Sequence, residues 1–391
     1  MDIYDQLGVR KIINGSATLT MLGGSLMPPQ VLAAMAEASQ HFINIDELQD
    51  KVGRKLAELT HNEAAYISSG AAAGLVLSTA ACIAGTDPAL RERLPFSDGM
   101  KNEVIVHRRG RVGYDFAIRQ AGGRLVEIGS EQGASPEALE AAFTERTAAV
   151  FVFYNAINLV GQVPLAQQIE IAHRHGVPLI VDAAAQIPPI ENLWWFTQQG
   201  ADLAIFSGGK GLCGPQSSGL IVGRRALVEA CGFHACPRAF IGRAMKAGKE
   251  EMIGLLAAVD WYLHLDHAGL MQTYEQQVAW ILAALAHEPH LAARRSFPSE
   301  AGQPMPRAEI VLDEAACGLT RDELLRQLLA GEPAISLAPS GQDGVYVNPQ
   351  TLRPGQEKVI VERLLEILHE VRVVIIPSQT HLNPRNPILL P

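Results

Sequence analysis

Between about residue 60 and residue 225, short, continuously apolar runs alternate with longer segments whose apolar residues recur at helical spacing. The runs are VIV at 104–106, RLVEI at 124–128, AAVFVF at 148–153, PLIV at 178–181, LAIF at 203–206 and SGLIV at 218–222. A strand wetted on one face alternates apolar and polar residues. These runs do not, so helices are expected to cover both faces. Two intervening segments carry helix-boundary residues: SPEALEAAF (135–143) opens at Ser, and PLAQQIEIAHRHG (164–176) opens at Pro and closes at Gly. The pattern predicts an α/β domain with a mixed, mainly parallel sheet and crossover helices. The stretch AAAGLVLSTAACIAG (71–85) is apolar on every side but shorter than a bilayer span, and predicts a helix buried between layers.

After Arg224 the pattern changes. A long helical region is expected over 249–288, and the Pro-rich stretch FPSEAGQPMPR (297–307) reads as a lobe boundary. Beyond it, RAEIVLD, AISLA, GVYVN and RVVII read as strands, separated by the helical segments TRDELLRQLLA and GQEKVIVERLLEILHE, which predicts a small α+β lobe. The expected organisation is an N-terminal segment, 1–45, packing on the small lobe or on a dimer partner, a large domain, 46–260, and a long helix with a small C-terminal domain, 261–391.

Composition narrows the classes. With 48% hydrophobic and 19% charged residues in 391, the chain is expected to fold into packed domains. Its 32 Lys and Arg against 41 Asp and Glu give a net charge of −9, which opposes non-specific attraction to nucleic acid or anionic membrane. Five scattered cysteines build no disulfide framework, so the cytoplasm is the expected compartment. The opening MDIYDQLGVRKIING does not read as a secretory signal. Cys231, His234 and Cys236 have no second ligand pair at metal spacing, so no metal is expected. No Walker-type glycine motif occurs, and no dinucleotide site is expected.

Four features fall in order along the chain: SSGAAAG (68–74) opening a helix, Asn155 after a strand, Asp182 ending the strand VD, and Lys210 in SGGKG. Each alone has an ordinary explanation, as a helix cap, a turn residue, a cap for the next helix or a solvated lysine. Together they match the needs of pyridoxal phosphate. Backbone N–H groups of Ser69, Gly70 and Ala71 at a helix N-terminus suit a phosphate dianion, and a carboxylate at Asp182 suits a protonated ring nitrogen. The amine of Lys210 suits the aldehyde, with the hydroxyl of Ser207 toward the phosphate and glycines at 208, 209 and 211 loosening the loop.

Longer segments carry a resemblance: VRKIING, LGGSLMPPQVLAAMAEA, DELQDKVGRKLAELT, SSGAAAGLVLSTAACIAGTDP, GMKNEVIVHRRGRVGYDFAIRQAGG, HRHGVPLIVDAAAQIPP, GADLAIFSGGKGLCGPQSSGLIVGR and IGRAMKAGKEEMIGLLAAVDWYL. In these the chain resembles the fold-type I pyridoxal-phosphate enzymes, and within them the family of bacterial selenocysteine synthase (L-seryl-tRNA(Sec) selenium transferase) and D-glucosaminate-6-phosphate ammonia lyase. The resemblance implies an aspartate aminotransferase-like fold with a mainly parallel seven-stranded sheet and a small α+β C-terminal lobe. It implies that Lys210 forms the Schiff base, Asp182 pairs with the pyridine nitrogen, and Ser69, Gly70, Ala71 and Ser207 hold the phosphate. It places His107 on the cofactor ring, or else behind it, and Asn155 at the phenolic oxygen.

For the substrate, two basic clusters are candidates, Arg108, Arg109 and Arg111, and Arg243, Lys246 and Lys249 at helical spacing. Either cluster could equally be a solvated face. Arg353 is a further carboxylate-binding candidate, because the C-terminal lobe often supplies one in this fold. The activity implied is α,β-elimination with ammonia release from a hydroxy- or phospho-substituted amino acid or amino sugar acid, in a homodimer or ring of dimers. Gly110, Val112 and Phe116 stand where the lyase pattern is more polar. Because VRKIING ends at residue 15, no preceding tRNA-binding region is expected, and with the negative charge no nucleic-acid partner. Transamination, racemisation, aldol cleavage and selenium-transferase-like β-replacement share the same first step and remain open. So does a non-catalytic cofactor-binding role.

Overall fold

The computed structural model describes residues 2–155, 157 and 159–375. Two compact units form: a large one from Thr18–Met271 with Phe297–Met305, and a small one whose described residues are 2–17, 272–296 and 306–375. The strands in chain order are β1 (Ile12–Gly15), β2 (Ala64–Ser68), β3 (Glu103–His107), β4 (Arg124–Ile128), β5 (Thr147–Phe153) and β6 (Leu179–Asp182). They continue with β7 (Leu203–Ser207), β8 (Gly219–Gly223), β9 (Leu291–Ser296), β10 (Arg307–Leu312), β11 (Ala334–Ser340) and β12 (Gly344–Val347).

The large unit holds a seven-stranded sheet in the order β2-β8-β7-β6-β5-β3-β4. Its strands from β7 to β4 run parallel, while β8 is antiparallel to both β2 and β7. Successive residues of a strand point to opposite faces, and here both faces are buried. Ile105, Val150, Val152, Leu179, Val181 and Phe206 fill one core, and Val104, Val106, Phe151, Ile180 and Ile205 the other. That two-sided burial is why the inner strands read as unbroken apolar runs, while the edge strand β4, RLVEI, is partly exposed.

The helix Ala71–Ala84 lies on the second face, as its all-round apolar pattern requires. Gly74 lets it close on the sheet, because a Cβ there would sit 2.8 Å from Ile205 Cγ2. Among the described residues no helix is long and apolar enough to cross a membrane.

The small unit carries a five-stranded sheet, β1-β11-β12-β10-β9, with β1 parallel to β11. The N-terminal residues thus enter the small unit only as far as Ala17; the chain from Thr18 belongs to the large one. Two expectations are corrected here. The region 249–288 is two helices, Lys249–Leu263 and His267–Leu285; Asp266 ends the gap by accepting from Gly269 N–H at 2.9 Å. RVVII is not a strand: the helix Gln356–Ile375 continues through it, since no turn residue interrupts the chain after Glu370, and Ile376 lies outside the described residues. The Pro-rich stretch does lie at a boundary: the chain leaves the small unit after Ser296 and rejoins it at Pro306, and Phe297–Met305 between them belongs to the large unit.

Candidate active site

In the large sheet β7, β6, β5 and β3 are adjacent and parallel, so their carboxyl ends share one edge, the usual place for a site in such a fold. His107, Asp182 and Ser207 are the last residues of β3, β6 and β7, and Asn155 follows β5 by two.

At the β2 end of the edge, Ser69 and Gly70 turn the chain into the helix Ala71–Ala84. The cap explanation for SSG fails here. No side chain caps this helix; the Ser68 hydroxyl donates instead to the Gly70 carbonyl at 2.9 Å. Gly70 has φ 136° and ψ 163°, a region that side chains exclude. Its first-turn N–H groups are therefore left to an acceptor outside the helix. Gly219 pairs with both Ser68 and Ser207, and a Cβ on it would lie 2.4 Å from the Gly70 backbone. The absence of a side chain at 219 brings Ser207 beside the turn.

Asp182 is buried, and its Oδ1 accepts from Ala184 N–H at 3.0 Å. Burial pushes its pKa above the usual carboxylate range, opposed by that hydrogen bond and by the charge of Lys210. Lys210 shows the reverse: burial pushes its pKa down, opposed by Asp182 and Glu300. Each charge stabilises the other in a place where neither is favoured alone. The Lys210 Nζ lies 5.9 Å from the ring centre of Tyr114.

The glycines around Lys210 do not loosen its loop. A Cβ on Gly208 would meet Ser218 Oγ at 2.0 Å, one on Gly209 the Gln216 backbone at 2.6 Å, and one on Gly211 the Ile187 carbonyl at 2.1 Å. They are there for close packing, and the Ser25 hydroxyl adds a bond to the Gly209 carbonyl at 3.0 Å.

His107 is buried with no hydrogen-bond partner at either ring nitrogen, and burial pushes its pKa down to about 4, so the imidazole is neutral. Asn155 uses its amide locally: Nδ2 donates to the Glu300 carbonyl at 3.1 Å and Oδ1 accepts from Ile157 N–H at 2.9 Å.

The basic candidates behave differently. Arg111 is held between Asp115, at 2.7 Å, and Glu127. Arg108 reaches Glu131 Oε1 at 3.3 Å, and Arg109 donates to the Glu131 carbonyl at 2.6 Å. Arg243 and Lys246 precede the helix Lys249–Leu263 in a turn, so the helical spacing expected for them is not realised; Lys249 opens that helix, paired with Glu250. Arg353 is exposed in the small unit, its N–H bound to Gln356 Oε1 at 2.9 Å. Sequence reasoning missed Glu300, Gln186 and Tyr114, although the quoted segments FPSEAGQPMPR, HRHGVPLIVDAAAQIPP and GMKNEVIVHRRGRVGYDFAIRQAGG contain them. Among the described residues no group of three His, Cys, Asp or Glu could hold a metal.

Comparison with known proteins agrees with this architecture. Residues 114–247, which contain Asp182 and Lys210, match the aminotransferase class-V family. Over 373 residues the chain is 36% identical to D-glucosaminate-6-phosphate ammonia lyase of Salmonella typhimurium, covering 94% of this chain and 98% of that protein. It belongs to the fold-type I pyridoxal-phosphate enzymes, in the family of that lyase. A solved structure of a D-glucosaminate-6-phosphate ammonia-lyase superposes with a TM-score of 0.84 at 35% identity, over 95% of this chain and 99% of that one. A second member, 5'-C-glycyluridine monooxygenase-decarboxylase of a Streptomyces species, is 35% identical over 376 residues, 93% of this chain and 92% of that protein. The family's cofactor is pyridoxal 5'-phosphate. The uncapped helix N-terminus, the buried carboxylate, the buried lysine and the unpartnered imidazole are groups that could hold it.

Proposed function

We propose that the chain is a pyridoxal-phosphate-dependent lyase that releases ammonia by α,β-elimination from a hydroxy- or phospho-substituted amino acid or amino sugar acid. The observation that carries this is the coupled buried pair Asp182 and Lys210 at the edge of a sheet that superposes along nearly its whole chain on an ammonia lyase.

In this reading Ser69, Gly70 and Ala71 would bind the cofactor phosphate through backbone N–H groups, with Ser207 beside them. Asp182 would face the ring nitrogen, Lys210 would hold the cofactor covalently, and His107 would lie against the ring. Once bound, the cofactor supplies an electron sink for negative charge at the substrate α-carbon. Lys210 does the proton work. Burial lowers the pKa of its amine and so favours the form in which Nζ can take the α-proton and return it to the departing oxygen. The charge of Asp182, buried and bound to Ala184 N–H, is fixed in place before reaction. Arg108 and Arg109, which follow β3 directly, are the first of the proposed anion-binding groups, and Arg243 and Lys249 of the same unit complete the proposed set.

A homodimer or ring of dimers is supported by exposed apolar side chains in the large unit, Met21, Leu26, Phe42 and Phe96, since apolar surface of this kind marks interfaces. Five cysteines with no disulfide among them fit a cytoplasmic protein. A second reading, oxidative decarboxylation of a glycyl-substituted nucleoside, is favoured by the almost equal identity to the monooxygenase-decarboxylase. Incubation with a panel of hydroxy- and phospho-amino acids, amino sugar acids and 5'-C-glycyluridine, with ammonia, keto acid, oxygen uptake and carbon dioxide measured together, separates the two. Ammonia with keto acid and no oxygen uptake is the expected result; oxygen-dependent carbon dioxide release overturns it.

A further inference from the structure

The chain that leaves β3 is braced around one exposed ring. After His107 it makes two short turns, Arg108–Gly110 and Gly113–Asp115. Gly110 is buried, and a Cβ on it would meet Gln162 Nε2 at 2.8 Å, so the first turn lies tight against that side chain. In the second, Asp115 N–H donates to the Val112 carbonyl at 3.0 Å. The buried Asp115 carboxylate accepts from Arg111 Nε at 2.7 Å and has Arg119 at 3.8 Å. Arg111 also reaches Glu127 on β4, which ties this turn to the sheet. Charge-assisted bonds of this kind fix where the residue between Gly113 and Asp115 stands. That residue is Tyr114. It is 61% exposed, yet the Lys210 Nζ lies over its ring, 5.9 Å from the centre.

Resting on the lyase reading above, we propose that Tyr114 is a positioning residue for Lys210: the electron-rich face of its ring holds, by a cation–π contact, the lysine ammonium that forms during elimination. The observed separation falls inside the roughly 6 Å over which a ring attracts a cation. A neutral ring suits this task because a carboxylate in contact with Nζ would favour the charged form strongly and leave little free amine to act as base, whereas a ring favours it only weakly. The proton balance is closed. The α-C–H bond breaks as an N–H bond forms, its electron pair becomes the new C=C bond, the C–O pair leaves with oxygen, and the same proton departs from Nζ as part of water. The ring gains and loses nothing. Arg111 then has a task other than substrate binding, since it holds the turn that carries the ring. The charges acting on Lys210 are Asp182 from β6 and Glu300 from the stretch 297–305. In its own loop Cys213 donates its N–H to the Lys210 carbonyl at 2.9 Å, and burial pushes the Cys213 thiol up to about 11.

The test is competitive acylation of the cofactor-free full chain with acetic anhydride across a pH series, with Lys210 labelling quantified by peptide mass spectrometry against the exposed Lys101 as internal reference. Wild type is compared with Y114F, which keeps the ring, and Y114L, which keeps apolar bulk without it. In Y114L the Lys210 midpoint should fall, so that labelling near pH 8 rises about two- to fivefold, while Y114F should stay with wild type. In the holoenzyme, Y114L should lower kcat for ammonia release with KM little changed and move the acid limb of the kcat profile to lower pH; Y114F should leave that limb in place. The sign separates the proposal from simple shielding: a ring that only kept water from Nζ would, once removed, let the midpoint rise. A Lys210 midpoint that is unchanged or raised in Y114L overturns the proposal, as does a Y114F that behaves like Y114L. Labelling needs neither substrate nor cofactor, so a failure of the lyase assay is a separate result.

Discussion

His107 gives the large unit a measurable weakness to acid. Its imidazole is 3% exposed, neither nitrogen has a partner, and burial lowers its pKa from 6.5 to about 4. In the unfolded chain the same group takes up its proton near the ordinary value, so between these two pKa values the unfolded state binds more protons than the folded one. Stability is therefore fully present above the unfolded value and is lost as pH falls toward the folded one. Combining the two titrations, the loss from pH 7 to pH 5 is about 2 kcal/mol, rising to about 3 kcal/mol below pH 4. Phe at this position keeps a flat ring and removes the titration. Urea unfolding of the cofactor-free protein, followed by the fluorescence of Trp194, Trp195 and Trp261 in the large unit, should show wild type losing about 2 kcal/mol more than H107F between pH 7 and pH 5. Equal losses in the two proteins would refute the picture of a neutral, unpartnered imidazole.

Three further outcomes are expected. K210A should lose the near-visible absorbance of bound cofactor, and retention of that band in the purified variant would contradict the assignment. D182N should still bind cofactor but turn over about a thousandfold more slowly, roughly 4 kcal/mol of lost electrostatic stabilisation, read from steady-state kcat. G70A should weaken cofactor binding in equilibrium titration and cost about 1–3 kcal/mol of backbone strain; a Cβ there meets no atom within 4 Å, so the effect comes from φ alone.

Much of the large sheet could be read from the chain because its strands are buried on both faces and so carry an unmistakable apolar signature. β2 could not: AAYIS is short and alanine-rich, and its place beside β8 comes from pairing across a long sequence interval. β9, LAARRS, is half polar and takes its strand form from β10, to which it is paired along its whole length. RVVII shows the opposite error, β-branched residues carried into a helix by the twenty-residue segment that contains most of them. In the site, Lys210, Asp182 and the SSG turn were visible because phosphate, pyridine and aldehyde each demand a particular chemical partner. Glu300 was not, since the turn that carries it is built by Ser299 and Gln303, more than a hundred residues in sequence from the loops after β5 and β6 to which it is bonded.

His107, Asp182 and Ser207 each end a different strand of one sheet, and Lys210 follows Ser207 by three residues. Evolution can consequently swap one fixture without disturbing its neighbours, as tools are changed on a common rack. Two relatives whose names denote such dissimilar chemistries stand at nearly equal distance from one sequence, 36% and 35% identical.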